Sequence, residues 1–398
     1  MEASLANDAQ ELESLLQGGK FRDASIVCRE LISRHPFNAL YHTVLGDIAV
    51  AFRRPELAVE SYQSALKINP AIAWLKVNEE DHLKERYLLI KPWGAGFWSD
   101  MDQVFGALLA AELTNRTPVV AWGTGSLFTP QGTPNGWDLY FQPVSDHSIP
   151  ALPEPTFFPL KWSRANVGLD DVNKWKGDNS RVSVLYFFRR PEDVVIADFF
   201  DNVTDLMPWI DKSSTYHGAK QIEIYRHLLG KFVRLQARLA AEIDRFWQGR
   251  MAGNKWVAVH MRGTDKRWEV PQLDAINDAY IPVLDGLLAQ ESYLKIFLLT
   301  DSQPMLERML ERYGERIIHT DSIRGAGAVG VHFSQCPKRD IADQAIIDTY
   351  LAGRCDYFLG NGASNLSKAV EFMKVWPPGT YNLLGPDLRA VRHRIVER

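Results

Sequence analysis

The sequence predicts an α/β protein built from two Rossmann-type halves and preceded by a small all-α segment. Three observations predict it. A 34-residue repeat occupies the first seventy residues, and from about Arg86 short apolar runs without polar alternation are separated by helical stretches. One such run, Trp256–Val259, ends by delivering His260, Arg262, Thr264, Asp265 and Lys266 at one edge. At 398 residues the chain exceeds one ordinary domain. The expected divisions are a helical segment over 1–83, a first α/β half over 84–235 and a second over 236–398.

Taking the elements in order, Ala24, Cys28, Leu31 and Pro36 recur as Ala58, Tyr62, Ala65 and Pro70, which is the tetratricopeptide spacing. Leu45-Gly46 falls where two helices must approach closely, and each proline ends a helix at a turn. Stacked helical pairs need neighbours over their apolar faces, so these are expected to pack on the following domain or on another subunit. In the first half, Tyr87–Ile90, Thr117–Trp122 and Val182–Phe188 read as strands and Asp100–Asn115 as a helix, and a long loop over 123–179 reads as a binding loop. One long helix is expected over Ala219–Trp247. The second half follows with strands at Trp256–Met261, Ile296–Thr300, Ile317–His319 and Tyr357–Leu359, and helices at Ala275–Gln290, Pro304–Tyr313 and Asp340–Gly353.

Composition narrows the function. A net charge of −4 gives no general polyanion-binding surface, which disfavours nucleic acid while leaving room for one small basic pocket. The three cysteines, Cys28, Cys336 and Cys355, form neither a paired framework nor a zinc site, and a reducing compartment is expected. The start is acidic and polar, and no later run approaches the length of a membrane span, so the expectation is a cytoplasmic enzyme without a membrane anchor.

Side chains just past a buried parallel strand sit in the crevice where open α/β sheets bind ligands. Arg262 is a fixed cation whose planar fork matches phosphate oxygens two at a time, and His260 points to the same side of an extended chain. A second cluster comprises Asp343, Asp348, Asp356 and the turn Gly360–Ser367. There Gly362 allows close backbone approach, Ser364, Asn365 and Ser367 bring polar groups, and the helix opening directs N–H groups at anions. Asp100-Met101-Asp102 matches a metal-binding D-x-D pattern but lies at a helix start, and both carboxylates are read as capping, with no metal. Gly325–Gly330 satisfies G-x-G-x-x-G without the strand before it and the helix after it that a dinucleotide fingerprint needs, and His332 and Lys338 beside it read as solvated. Trp93, Phe97, Trp98 and Trp122 form an aromatic cluster suited to core packing or to a sugar face, and Arg189–Asp193 reads as a charged cluster near the crevice.

Read as an ordered series, His260–Lys266, Leu299–Ser302, Ile347–Leu351 and Cys355–Asn365, with Gly94–Asp100 and Asn115–Val120 before them, resemble the α1,6-fucosyltransferase superfamily. That group includes the core N-glycan and nodulation-factor enzymes, and the resemblance covers roughly residues 86–375. It implies a GT-B pair of halves and an inverting, metal-independent transfer of fucose from GDP-fucose, with no cofactor, to a hydroxyl of a glycan, a lipid-linked oligosaccharide or a protein. It further implies that Arg262 binds the β-phosphate, that His260 lies beside the nucleotide, that Asp348 reads the guanine edge and that Ser364 contacts the diphosphate, with Gly362 and Asn365 in the same turn. Glu269 is the nearest match to the family's base, displaced by one residue, with Lys266 nearby and Asp265 as its alternate. Gly263 stands where several relatives carry a second arginine, and Arg267, Arg324 or Lys266 could replace that charge. Transfer from another nucleotide sugar, or a repeat-containing interaction protein that has lost catalysis, are the competing readings.

Overall fold

A computed structural model describes residues 10–16, 18–52, 54–69, 85–152, 156–159, 161–169, 190, 192–207, 210, 214–264, 266–327, 330 and 336–387. The strand expected over 182–188, Pro70, Asp265, Arg189 and His332 lie outside them.

After a helical stretch over 10–16 come α1 (Phe21–Arg34), α2 (Ala39–Ala51) and α3 (Pro55–Ile68). Ala24, Cys28 and Leu31 on α1 and Ala58, Tyr62 and Ala65 on α3 are all buried, because positions four and then three residues apart share one helical face. A side chain at Gly46 would meet the Tyr62 ring at 2.2 Å, so the crossing of α2 and α3 requires a glycine there. Most of the buried apolar residues of this segment, Ala24, Cys28, Leu31, Ala58 and Tyr62 among them, belong to one apolar cluster that continues into the first α/β half.

That half has a four-stranded parallel sheet of β1 (Tyr87–Ile90), β2 (Thr117–Val120), β3 (Phe157–Phe158) and β4 (Val194–Ala197), in the order β2-β1-β4-β3. Every residue of β1 and β4 is buried, as strands covered on both faces must be. Helix α4 (Phe97–Leu113) starts three residues earlier than expected, directly after Gly96. The short helix α5 (Val203–Leu206) follows β4, capped by Asn202 and Asp205.

The single helix expected over 219–247 is two, α6 (Gln221–Phe232) and α7 (Ala237–Phe246). The link between them is claimed by another part of the chain: Leu235 bridges Phe141, and the Gln236 amide donates to the Tyr140 carbonyl at 2.9 Å. Those tertiary backbone bonds outweigh the helix propensity of the local residues.

The second half contains β5 (Trp256–Met261), the short α8 (Lys266–Glu269), α9 (Leu273–Gln290), β6 (Lys295–Thr300), α10 (Gln303–Tyr313), β7 (Ile317–Ile318), α11 (Lys338–Arg354), β8 (Tyr357–Asn361), α12 (Asn365–Phe372) and β9 (Tyr381–Leu384). Its five strands are parallel in the order β7-β6-β5-β8-β9. Counted from β5, this is the order 3-2-1-4-5 of a Rossmann sheet, with its topological switch point between β5 and β8. No helix among the described residues is long and apolar enough to cross a membrane.

A buried polar knot ties the halves together. Lys368 on α12 reaches Asp102 on α4 at 2.8 and 2.9 Å and the Tyr225 hydroxyl on α6 at 2.7 Å, and Tyr225 also donates to Asp102. The side chains of Lys368 and Asp102 are each 7% exposed, so each charge depends on the other for compensation. Tyr225 stacks on Phe372 of α12 beside them. Lys368→Ala should therefore lower unfolding stability by about 3–5 kcal/mol, because it strands a buried carboxylate. Chemical denaturation checks this, and the Asp102→Ala/Lys368→Ala pair should lose less than the sum of the two single changes.

Candidate functional site

Both sheets are parallel, so each presents the carboxyl ends of its strands along one edge, and a cavity of about 830 Å³ lies between those edges. The first half lines it with Trp93–Ser99 after β1 and Asn202 after β4. The second lines it with Arg262 after β5, Asp301 after β6 and Ala363–Leu366 after β8, together with one face of α11. Arg262 and Ser364 thus flank the switch point of the second sheet, the position at which such sheets bind ligands.

Arg262 is held in place by Asp301. In the register of β5 with β6, Met261 is paired with Thr300, so the next residue of each strand falls side by side, and Arg262 Nη1 lies 2.7 Å from Asp301 Oδ2. The same carboxylate accepts the Gly263 amide at 2.7 Å and the Thr264 hydroxyl at 2.8 Å. Burial alone would raise the pKa of Asp301. The Arg262 charge, the Thr264 hydroxyl and the Gly263 amide outweigh it and hold the carboxyl below its ordinary range. The guanidinium is braced from the protein side while it lines the cavity.

His260 is 3% exposed and lies within β5. Ser367 Oγ accepts the Asn361 amide at 3.1 Å, which leaves its own proton for His260 Nδ1 at 3.0 Å. Burial first, and then the Arg262 charge, depress the pKa of this imidazole well below its ordinary value against the pull of Asp301. The ring is neutral with its proton on Nε2, as assigned from this network, and it lines the cavity.

Asp348 lines the cavity from α11 and is 8% exposed. Thr320 Oγ1 donates to its Oδ1 at 2.6 Å and Ser322 Oγ to its Oδ2 at 2.9 Å. Burial nevertheless raises its pKa to about 6, against those hydroxyls and the charges of Arg324 and His319. Ser364 precedes α12 without bonding a helix amide through its side chain, and both it and Asn365 line the cavity. Lys266 and Glu269 stand at the rim as an ion pair, with side chains 15% and 59% exposed.

Several expected residues serve other purposes. Gly362 does not line the cavity: its amide donates to the Leu384 carbonyl at 2.9 Å, and a side chain there would meet the Pro386 carbonyl at 2.8 Å. The glycine allows backbone packing against the turn after β9, rather than approach of a ligand. Asp343 binds Arg238 through two oxygens, and Asp356 accepts the Trp256 amide. Neither aspartate caps the helix as expected: Asp100, in the first turn of α4, accepts the Gly94 and Ala95 amides of the preceding loop, and Asp102 belongs to the polar knot. Trp93, Phe97 and Trp98 line the cavity, while Trp122 is fully buried against Phe97 and Trp137. Gly325 is fastened by backbone bonds to Asp301 and Gln303.

The structure also accounts for Gly263. A Cβ there would sit 2.6 Å from Ser302 Cβ, so no larger residue fits without displacing the turn after β6. Of the three basic residues that could supply the missing charge, Arg267 pairs with Asp274 beside a separate hollow and Arg324 donates to the Thr320 and Ser322 carbonyls. Lys266 alone of the three lines the cavity. Sequence reasoning passed over Asp301 and Gln344 as site residues. Asp301 follows β6 as Arg262 follows β5, and Gln344 lies one helical turn before Asp348, so both were within reach of the rules that found their neighbours.

Sheet order and crevice place the chain among α/β proteins whose ligand site lies at a topological switch point. No protein-family model matches the chain, and no curated protein sequence does. Among solved structures it is similar to the fucosyltransferase NodZ from Bradyrhizobium, at 20% identity over 72% of this chain and 92% of that one, with a TM-score of 0.48. It is also similar to POFUT1 in complex with GDP, at 15% identity over 76% and 99% of the two chains and a TM-score of 0.46. A variant of Arabidopsis thaliana FUT1 in complex with GDP follows at 12% identity over 82% and 77%, with a TM-score of 0.47.

Proposed function

We propose that the chain is a glycosyltransferase that takes fucose from GDP-fucose and passes it, with inversion and without a metal, to a hydroxyl of a glycan, lipid-linked or protein acceptor. The observation that carries this reading is that a braced arginine and a two-oxygen acceptor, Arg262 and Asp348, line one cavity at the switch point of a Rossmann-ordered sheet. A diphosphate calls for the first group and a base with two adjacent N–H donors for the second, and the ordered motifs described above likewise favour guanine.

In the proposed step the Glu269 carboxylate takes the proton of the acceptor hydroxyl while the hydroxyl oxygen attacks the anomeric carbon. The bond from that carbon to the β-phosphate oxygen breaks, and its electron pair leaves with GDP. Arg262 and Lys266 meet the charge that develops on the diphosphate, and Ser364 and the neutral His260 add donors. Trp93 and Trp98 offer faces to the sugar or the acceptor. The helical pairs at the start, read as tetratricopeptide-type units, would contact the acceptor or another subunit, and the free cysteines are consistent with the proposed cytoplasmic location.

Three outcomes are expected. GDP should raise the melting temperature in a thermal-shift assay while UDP, ADP and CMP do not, and Arg262→Ala should remove both that response and transfer. A response confined to UDP would overturn the guanine assignment. Glu269→Gln should lower kcat by about a hundredfold or more with the donor KM little changed, as steady-state kinetics would show.

The third outcome concerns pH. Two guanine N–H groups favour the ionised carboxylate, so bound GDP must lower the pKa of Asp348 from its value of about 6 in the free protein. GDP affinity should then be constant above that pH and fall by up to about tenfold per unit below it. Calorimetry at several pH values tests this, and the dependence should vanish in Asp348→Asn.

A further inference from the structure

Gln344 and Asp348 stand one turn apart on α11 and both line the cavity. The segment 320–323 runs beside that helix face and holds both residues. Thr320 and Ser322 donate to the two oxygens of Asp348, and the Ile323 amide donates to Gln344 Oε1 at 2.7 Å. Only an oxygen can accept a backbone N–H, so this bond fixes which way the Gln344 amide is turned. Its Nε2 group has no hydrogen-bond partner among the described residues.

Each oxygen of Asp348 has accepted one hydroxyl and keeps capacity for another donor. Ser322, which holds Oδ2, immediately precedes Ile323, which holds Gln344, and taken in the order of those partners the groups read acceptor, acceptor, donor. The pairing edge of guanine runs in the complementary sense, from the 2-amino group through N1–H to O6. Adenine has one N–H beside a bare N1, cytosine has one donor beside two acceptors, and uracil has one donor between two acceptors. Guanine is the base whose edge satisfies all three protein groups.

We infer that Gln344 is a specificity-determining residue whose side-chain amide donates to O6 of the guanine base, completing the recognition that Asp348 begins. This rests on the proposed GDP-binding role of the cavity and goes beyond it by assigning the third hydrogen bond. A donor at this point also rejects bases that carry a donor where guanine has O6, since two N–H groups would then face each other without water.

The test is calorimetric binding of GDP, IDP and 6-thio-GDP to the wild-type chain and to Gln344→Leu. IDP keeps O6 and loses the 2-amino group, whereas 6-thio-GDP keeps both N–H donors and replaces O6 by a weakly accepting sulfur. The wild type should bind 6-thio-GDP about tenfold more weakly than GDP. Gln344→Leu should weaken GDP and IDP by about the same tenfold factor and leave 6-thio-GDP nearly unchanged. Equal losses for all three nucleotides, or no loss for GDP, would overturn the role of Gln344 while the GDP reading stands. If the wild type binds none of the three and binds UDP instead, the GDP reading itself fails, and this inference fails with it. Equal affinity of the wild type for GDP and 6-thio-GDP would also overturn the role of Gln344, and that measurement stands even if the variant is unstable.

Discussion

The pairing of Arg262 with Asp301 is the constraint on which the site depends. An arginine at the lip of a cavity has long, mobile torsions, and it recognises a phosphate with fixed geometry only if something holds its planar fork. Asp301 does so from the neighbouring strand, and sheet register sets the pairing: Met261 opposite Thr300 brings the next residue of each strand together. A one-residue slip of β6 would carry Asp301 to the other face and leave Arg262 unbraced. The carboxylate is itself secured by the Gly263 amide and the Thr264 hydroxyl, so the turn after β5 and the end of β6 form one unit. The ion pair also compensates a charge in a mostly buried place, where an isolated guanidinium would be costly.

A cavity between two halves has a defined shape only if the halves hold a fixed relation. Lys368, Asp102 and Tyr225 come from α12, α4 and α6, and none of the three can move away without leaving a buried polar group unsatisfied. Such a knot adds little net stability, because desolvation offsets most of the attraction, but it strongly penalises other arrangements of the halves. Asp102 lines the cavity on one side and meets Lys368 on the other, so the contact that fixes the halves also forms part of the wall.

Much of this was legible in the sequence wherever one local rule sufficed. Fully apolar runs gave β1, β5, β6 and β8 almost to the residue, and the rule that ligands sit past such strands led to Arg262 and Ser364. The failures lie where distant parts of the chain decide. Leu235 and Gln236 look helical until Phe141 and Tyr140 claim their backbone, and β9 gains its order only by pairing with β8. Val194–Ala197 is a short apolar run between charged residues, visible in principle, yet only its place between β1 and β3 makes it a strand. Gly362 had the residue type of a ligand turn, and only the proximity of Pro386 shows that packing requires it.

Gly263 shows how a local steric fact shapes the chemistry the site can perform. Ser302 leaves no space for a side chain after Arg262, and among the described residues Lys266 is the lysine or arginine that lines the cavity besides Arg262. A lysine is a compact point charge on a flexible stem, unlike a planar fork, and here it is tied to Glu269 at the rim. Under the proposed reaction, the cation facing the leaving diphosphate and the carboxylate facing the acceptor therefore begin as one ion pair. Drawing Lys266 toward the diphosphate as charge develops there would loosen its hold on Glu269 while that carboxylate takes the acceptor proton. An arginine in a rigid fork at position 263 could not couple the two events in that way. Under that reaction a mobile cation at Lys266 would link departure of the nucleotide to activation of the acceptor through a single side chain.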